Sequence, residues 1–146
     1  MNRLPRDRER LLRRRLEEAA NLQPEIGELR RLLLNMGGVE LVAPPGPDAA
    51  VGFLIDYGFA MAGPVKRRGM IEGGCHKNVS RLWVSGARTL IGIGTGYALS
   101  GDGLWRQHSW GIRRSGIIET TAEREVYFGI ALDGSQADSF AESSLP

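Results

Sequence analysis

The sequence predicts an α+β domain. A helical arm comes first, followed by a body in which one short helix, opening at the only cysteine, packs on a small antiparallel sheet. Three observations carry that expectation. Apolar residues recur at helical spacing near the N-terminus, at Leu12, Leu16 and Ala19 and again at Ile26, Leu29 and Leu33. Beyond residue 88 the hydrophobic period shortens to that of strands. Glycine supplies 20 of the 146 residues, most of them between Gly37 and Gly116, which favours tight turns and short strands over a helical bundle.

Residues 5–21 read as a first helix, with Pro5 suited to a first turn. Asn21-Leu22-Gln23 breaks it. A second helix starts at Pro24, with Glu25 and Glu28 near the positive end of its dipole and Arg30 and Arg31 nearer the negative end; Gly37-Gly38 stops it. Val39 to Val42 is a short strand. Ala43-Pro44-Pro45-Gly46-Pro47-Asp48 resists regular structure and marks the boundary between arm and body. Residues 51–63 are apolar and small without a clear period, and read as buried extended chain. Residues 75–84 form a short helix with Val79, Leu82 and Trp83 on one side. Thr89–Leu99, Gln107–Ile112, Gly116–Thr120 and Arg124–Leu132 read as four strands, joined in part by turns at Ser100-Gly101-Asp102-Gly103 and Arg114-Ser115-Gly116. The Ser- and Asp-rich segment from Asp133 is expected to fray. The expected organisation is therefore an arm over 1–43, a catalytic-type body over 44–132 and a flexible tail over 133–146.

The formal net charge is +2 and the isoelectric point about 9.0, but the excess is local. Residues 1–35 hold nine arginines against six acids, a net of +3, so the remainder is close to −1. A nucleic-acid enzyme would carry basic surface on its body as well. The arm lacks interleaved aromatics, and its charge reads better as a solvated face or one that meets a partner protein or a second copy. A single cysteine excludes an internal disulfide framework. No apolar run approaches the ~18 residues that suggest a membrane span, and the N-terminus has no hydrophobic signal core. These features set the expectation of a cytoplasmic protein.

The chemistry-bearing residues are Cys75, His108 and Glu119. Cys75 follows Gly73-Gly74 and opens the short helix, where the dipole and unpaired N–H groups favour thiolate. The alternative is an inert buried thiol. His108, on a strand, is the candidate base; alone it is equally a polar residue on a half-exposed strand. His76 competes, but helix neighbours do not share a face, which assigns it a structural role. Glu119, in the otherwise apolar Gly116-Ile117-Ile118-Glu119-Thr120, would fix an imidazole's tautomer and stabilise its charged form; otherwise it is a solvent-facing strand residue. Asp102 is a weaker rival, since Gly-Asp-Gly is most simply a turn.

Cys75 at a helix start, then His108-Ser109-Trp110 on one strand, then Glu119-Thr120-Thr121 on the next, resembles the papain-like superfamily and within it the transglutaminase-like branch. That branch often shows His-Ala-Trp, followed by an acidic residue with a threonine two places later. Here Ser109 replaces the alanine and Glu119 the usual aspartate. The resemblance covers about residues 70–132. It implies a papain-like core and acyl transfer through a thioester: Cys75 attacks an amide of a protein or peptide, His108 moves the proton and Glu119 orients His108. Papain-type enzymes carry an oxyanion-hole glutamine six residues before the cysteine, where this chain has Gly69. The backbone N–H of Cys75 is left to serve, supported by Asn78, Gln107 or another donor, with Trp110 beside the histidine.

Gly92-Ile93-Gly94-Thr95-Gly96 lacks the third glycine and the following helix of a nucleotide-binding loop, and reads as a glycine-relieved strand. Cys75, His76, His108 and Glu119 lack zinc-ligand spacing, so neither metal nor cofactor is expected. Peptidase, deamidase and transglutaminase chemistry share the thioester step. The rival from another class is a non-catalytic interaction module whose basic arm binds a protein partner or a nucleic acid.

Overall fold

A computed structural model describes residues 4–86 and 89–145. Helix α1 (Arg6–Leu22) buries Leu12 and Leu16, and α2 (Glu25–Met36) buries Ile26, Leu29 and Leu33. Both follow the apolar spacing of the sequence. After the two-residue strand β1 (Glu40–Leu41) comes α3 (Val51–Tyr57), where extended chain was expected. Its period is hidden because apolar residues occupy both sides. Val51 and Leu54 face the core, while Phe53 and Tyr57, one turn apart, pack ring against ring at 4.7 Å on the outside. Strands β2 (Phe59–Met61) and β3 (Val65–Arg67) follow, the second with no counterpart in the sequence reading.

Helix α4 (Cys75–Val84) leads into β4 (Gly92–Leu99), β5 (Leu104–Arg113), β6 (Gly116–Glu119) and β7 (Val126–Leu132). The last element corrects the expectation of a fraying tail: Gly134–Ser144 is helix α5. Its Ala137 and Ala141 are fully buried, and Ala137 packs with Val79 of α4 and Ile93 of β4. Small residues at helical spacing let the two helices approach closely, whatever the polarity of the outer face.

One mixed sheet runs in the order β2-β7-β4-β5-β6-β3, antiparallel except for β3 on β6, with β1 pairing parallel to the start of β5. Alternation along each strand divides its residues between two faces. Tyr97, Leu99 and Trp105 join Leu29 and Leu33 in the larger core. Ala98, Trp110, Ile117 and Tyr127 form a second cluster on the opposite face. The helices set apart by sequence as an arm are thus packed into the same core as the sheet. Arg30 of α2 holds the buried Glu40 carboxylate through two hydrogen bonds of 2.6 and 3.0 Å, tying α2 to β1, which itself pairs with β5.

Glycine is required in β4 because the Trp110 ring of β5 and the backbone of β7 lie close against it. A Cβ on Gly94 would stand 2.0 Å from Nε1 of Trp110, and one on Gly96 would stand 2.2 Å from the carbonyl oxygen of Phe128. The glycine-rich run is a strand relieved for packing.

Candidate active site

Strand β5 is paired with β6 only at Gly111–Arg113 and with β1 only at Leu104–Trp105. Between those segments its edge is open, and α4 packs against β5. The turn that brings the chain there passes through Gly73, whose φ of +76° suits glycine alone. Asn78, fully buried, ties this turn to the helix by donating from Nδ2 to the Ile71 carbonyl at 2.7 Å.

The thiol of Cys75, at the first position of α4, faces the imidazoles of both His108 and His76. Burial alone would push this thiol up. Contact with His108 and His76 overcomes that and brings it down to about 5, so the thiolate dominates at neutral pH. Burial would lower His108, but its contacts with Cys75 and Glu119 raise it above the ordinary histidine range.

His108 is buried and donates from Nε2 to Oε1 of Glu119 at 2.8 Å, which leaves Nδ1 for the thiol. The Glu119 carboxylate is fully enclosed, yet each oxygen receives two hydrogen bonds. Oε1 takes His108 and the Tyr127 hydroxyl at 2.9 Å; Oε2 takes the Thr121 N–H at 2.9 Å and the Thr121 hydroxyl at 3.0 Å. Burial pushes Glu119 up, and these partners, His108 first, bring it down to about 2. Burial and the neighbouring carboxylate push the Tyr127 hydroxyl well up, so it stays a donor. Trp110 stacks on His108 with ring centres 6.0 Å apart and meets Tyr127 edge to face at 5.1 Å. Cys75, His108 and Glu119 are therefore brought together, with Trp110 as the wall behind the imidazole.

The supporting donors fall differently. Asn78 has committed its amide to Ile71, and Gln107 donates to Asp48 Oδ2 at 3.1 Å. Each of these bonds engages one of the two N–H donors of its amide. The first-turn N–H groups of α4 have no partner within the helix, and no side chain caps it. Asp102 is removed from the site by its ion pair with Arg106 at 2.8 Å.

Sequence reasoning missed Tyr127 and undervalued His76. Tyr127 lay in an unremarkable apolar strand, and nothing in the chain announced that its hydroxyl would meet Glu119. His76 Nδ1 lies 2.5 Å from Ser109 Oγ, which in turn is 2.9 Å from Thr95 Oγ1. The signal was present in Ser109, the residue that departs from the His-Ala-Trp pattern. A cleft of about 930 Å³ opens on this side, lined by Gly74, His76, Asn78, Thr95 and Gln107, with an apolar wall of Ile130, Leu132 and Phe140.

Among the described residues no group of three or more His, Cys, Asp or Glu side chains is arranged to hold a metal ion, and no helix is long and apolar enough to cross a membrane. The chain matches no protein-family model, no curated protein and no solved structure.

Proposed function

We propose that the protein is a cysteine-dependent acyl-transfer enzyme acting on a protein or peptide amide, built on a papain-like core of the transglutaminase-like kind. The observation that carries this reading is a cysteine at a helix N-terminus whose thiol faces a buried histidine, itself held by a carboxylate with both oxygens fully hydrogen-bonded. An inert structural cysteine needs none of these partners.

In this mechanism the Cys75 thiolate attacks the amide carbonyl carbon. Negative charge develops on the carbonyl oxygen, and the unpaired N–H groups at the start of α4 receive it. His108, as imidazolium, gives its proton to the departing amine nitrogen as the C–N bond breaks, leaving a thioester on Cys75. Glu119 keeps His108 in the required tautomer and stabilises its charged form. Water or an amine then attacks the thioester, giving hydrolysis or transamidation. The 930 Å³ cleft, with its apolar wall, is the substrate channel in this reading.

The test is acylation of the thiol. Incubation with 4-nitrophenyl acetate should place an acetyl group on Cys75, detectable by peptide mass spectrometry, with sustained release of 4-nitrophenolate. Cys75→Ala should abolish both. Acetylation spread over lysines with Cys75 unmodified would sink the reading.

A further inference from the structure

His108 and His76 both face Cys75, but from different environments. His108 is sealed behind the sheet, with Nε2 bound to Glu119 and the other nitrogen turned to sulfur. His76 is partly exposed and lines the cleft. Its ring is held at Nδ1 by Ser109, itself fully buried and bridged to Thr95, and its other face meets Phe140 edge-on at 6.1 Å. A buried serine fixing a cleft-side imidazole is more than a solvated histidine needs. It also accounts for the position at which this chain leaves the His-Ala-Trp pattern, since an alanine at 109 could not hold the ring.

We propose that His76 is a second catalytic base at this site, taking the proton from the nucleophile that attacks the acyl-enzyme, while His108 serves the formation of the acyl-enzyme. The inference rests on the cysteine acyl-transfer reading above. Once the sulfur is acylated it no longer carries the charge that His76 meets in the free enzyme; with Nδ1–H donating to Ser109, Nε2 of His76 is then left as the base. As water adds to the thioester carbon, one of its protons passes to Nε2 of His76. The C–S bond then breaks, the carboxylic acid leaves, and Cys75 departs as thiolate. The proton on His76 is released to solvent, and His108, left neutral by the first half-reaction, takes one back. One amide bond and one water are consumed, and one acid and one amine are formed. Ser109 is a positioning residue in this scheme.

The two half-reactions separate in the pre-steady state with 4-nitrophenyl acetate. The burst of 4-nitrophenolate reports acylation, and the linear phase reports deacylation. In His76→Gln, which keeps a polar group near Ser109, the burst should slow only by what the lost His76 contact takes from the thiolate, while deacylation falls about 10²-fold, the low end of a lost general base, so the two phases lose unequally. Ser109→Ala should shift the same step by a smaller factor. Hydroxylamine, a nucleophile that needs less base assistance, should restore turnover in His76→Gln, which a merely structural defect would not allow. Equal losses in both phases, no loss in either, or no hydroxylamine rescue would overturn the role of His76 alone. A parent protein that never acylates at Cys75 would overturn both this inference and the reading it rests on. His108→Ala provides the opposite signature, a lost burst.

Discussion

Adjacent residues of one strand face two unlike environments. On one side of β5, His108 and Trp110 join Glu119 and Tyr127 in a closed cluster where both carboxylate oxygens are saturated. On the other, Gln107 lines an open cleft and the buried Ser109 holds His76, which lines it too. The closed side can fix charge because water is excluded and every polar partner is supplied by the protein. The open side is accessible to whatever enters the cleft. The thiol meets His108 on the closed side and His76, which lines the cleft.

The largest expected effect tests the closed side. His108→Ala should reduce turnover about 10²- to 10⁴-fold, the range for a general acid–base group. Its effect on iodoacetamide labelling should be smaller. Raising the thiol from about 5 to an ordinary ~8.5 cuts the thiolate fraction roughly 300-fold at about pH 6. The more basic thiolate is intrinsically some ~40-fold more nucleophilic, leaving a net loss near tenfold. A variant that labels and turns over like the parent would break the comparison.

Glu119→Gln keeps the shape and loses the charge, and turnover should drop roughly 10- to 10³-fold, less than the ~10⁴ seen for the equivalent change in a serine triad, because a thiolate–imidazolium pair needs less help. The same variant sharpens the pH argument. Glu119 lies below its ordinary 4.5, so its contribution to stability is full above that value and lost as pH falls through about 2. Thermal melts across that window should show a steeper loss for the parent than for Glu119→Gln. Equal slopes would mean that the carboxylate is not the charged anchor described here.

The pH profile of the thiol separates the two sides directly. Iodoacetamide labelling of Cys75 should rise through about pH 5 and level off near neutrality. An inflection near 8.5 would place the thiol in an ordinary setting.

Smaller effects are structural. Gly94→Ala should cost about 1–3 kcal/mol by overpacking against Trp110 and should slow labelling through the displaced His108 stack, measured by denaturant melts and labelling together. Asp102→Asn removes a half-exposed ion pair with Arg106, worth about 0.2–1 kcal/mol, and should leave labelling unchanged. An Asp102 variant that cripples the thiol would move the site to the wrong end of β5.

Much of this arrangement was legible. The spacing of Ile26, Leu29 and Leu33 gave a helix and its buried face together, because one period encodes both. Gly73-Gly74 before Cys75 marked a helix start, and alternation marked β4 to β7. Helix α3 was hidden because Phe53 and Tyr57 put large apolar groups on its outer side. Helix α5 was hidden because its contacts use small residues, Ala137 and Ala141, whose hydrophobic signal is weak among serines. The arm was read as separate because Pro44, Pro45 and Pro47 do interrupt the chain, yet a break in local structure does not prevent packing across it. Leu29 and Leu33 meet Tyr97 and Trp105 all the same.

By itself the sequence singled out Cys75, His108 and Glu119, which the structure brings together, and the kinds of element on which they lie, because helix ends and strand alternation are local properties of the chain. It could not decide who meets whom across the fold. That Tyr127 completes the Glu119 shell, that Asn78 and Gln107 spend their amides on Ile71 and Asp48, and that Ser109 reaches His76 all depend on register and on an unpaired stretch of β5 into which α4 fits. Those are long-range pairings, fixed only when the sheet closes.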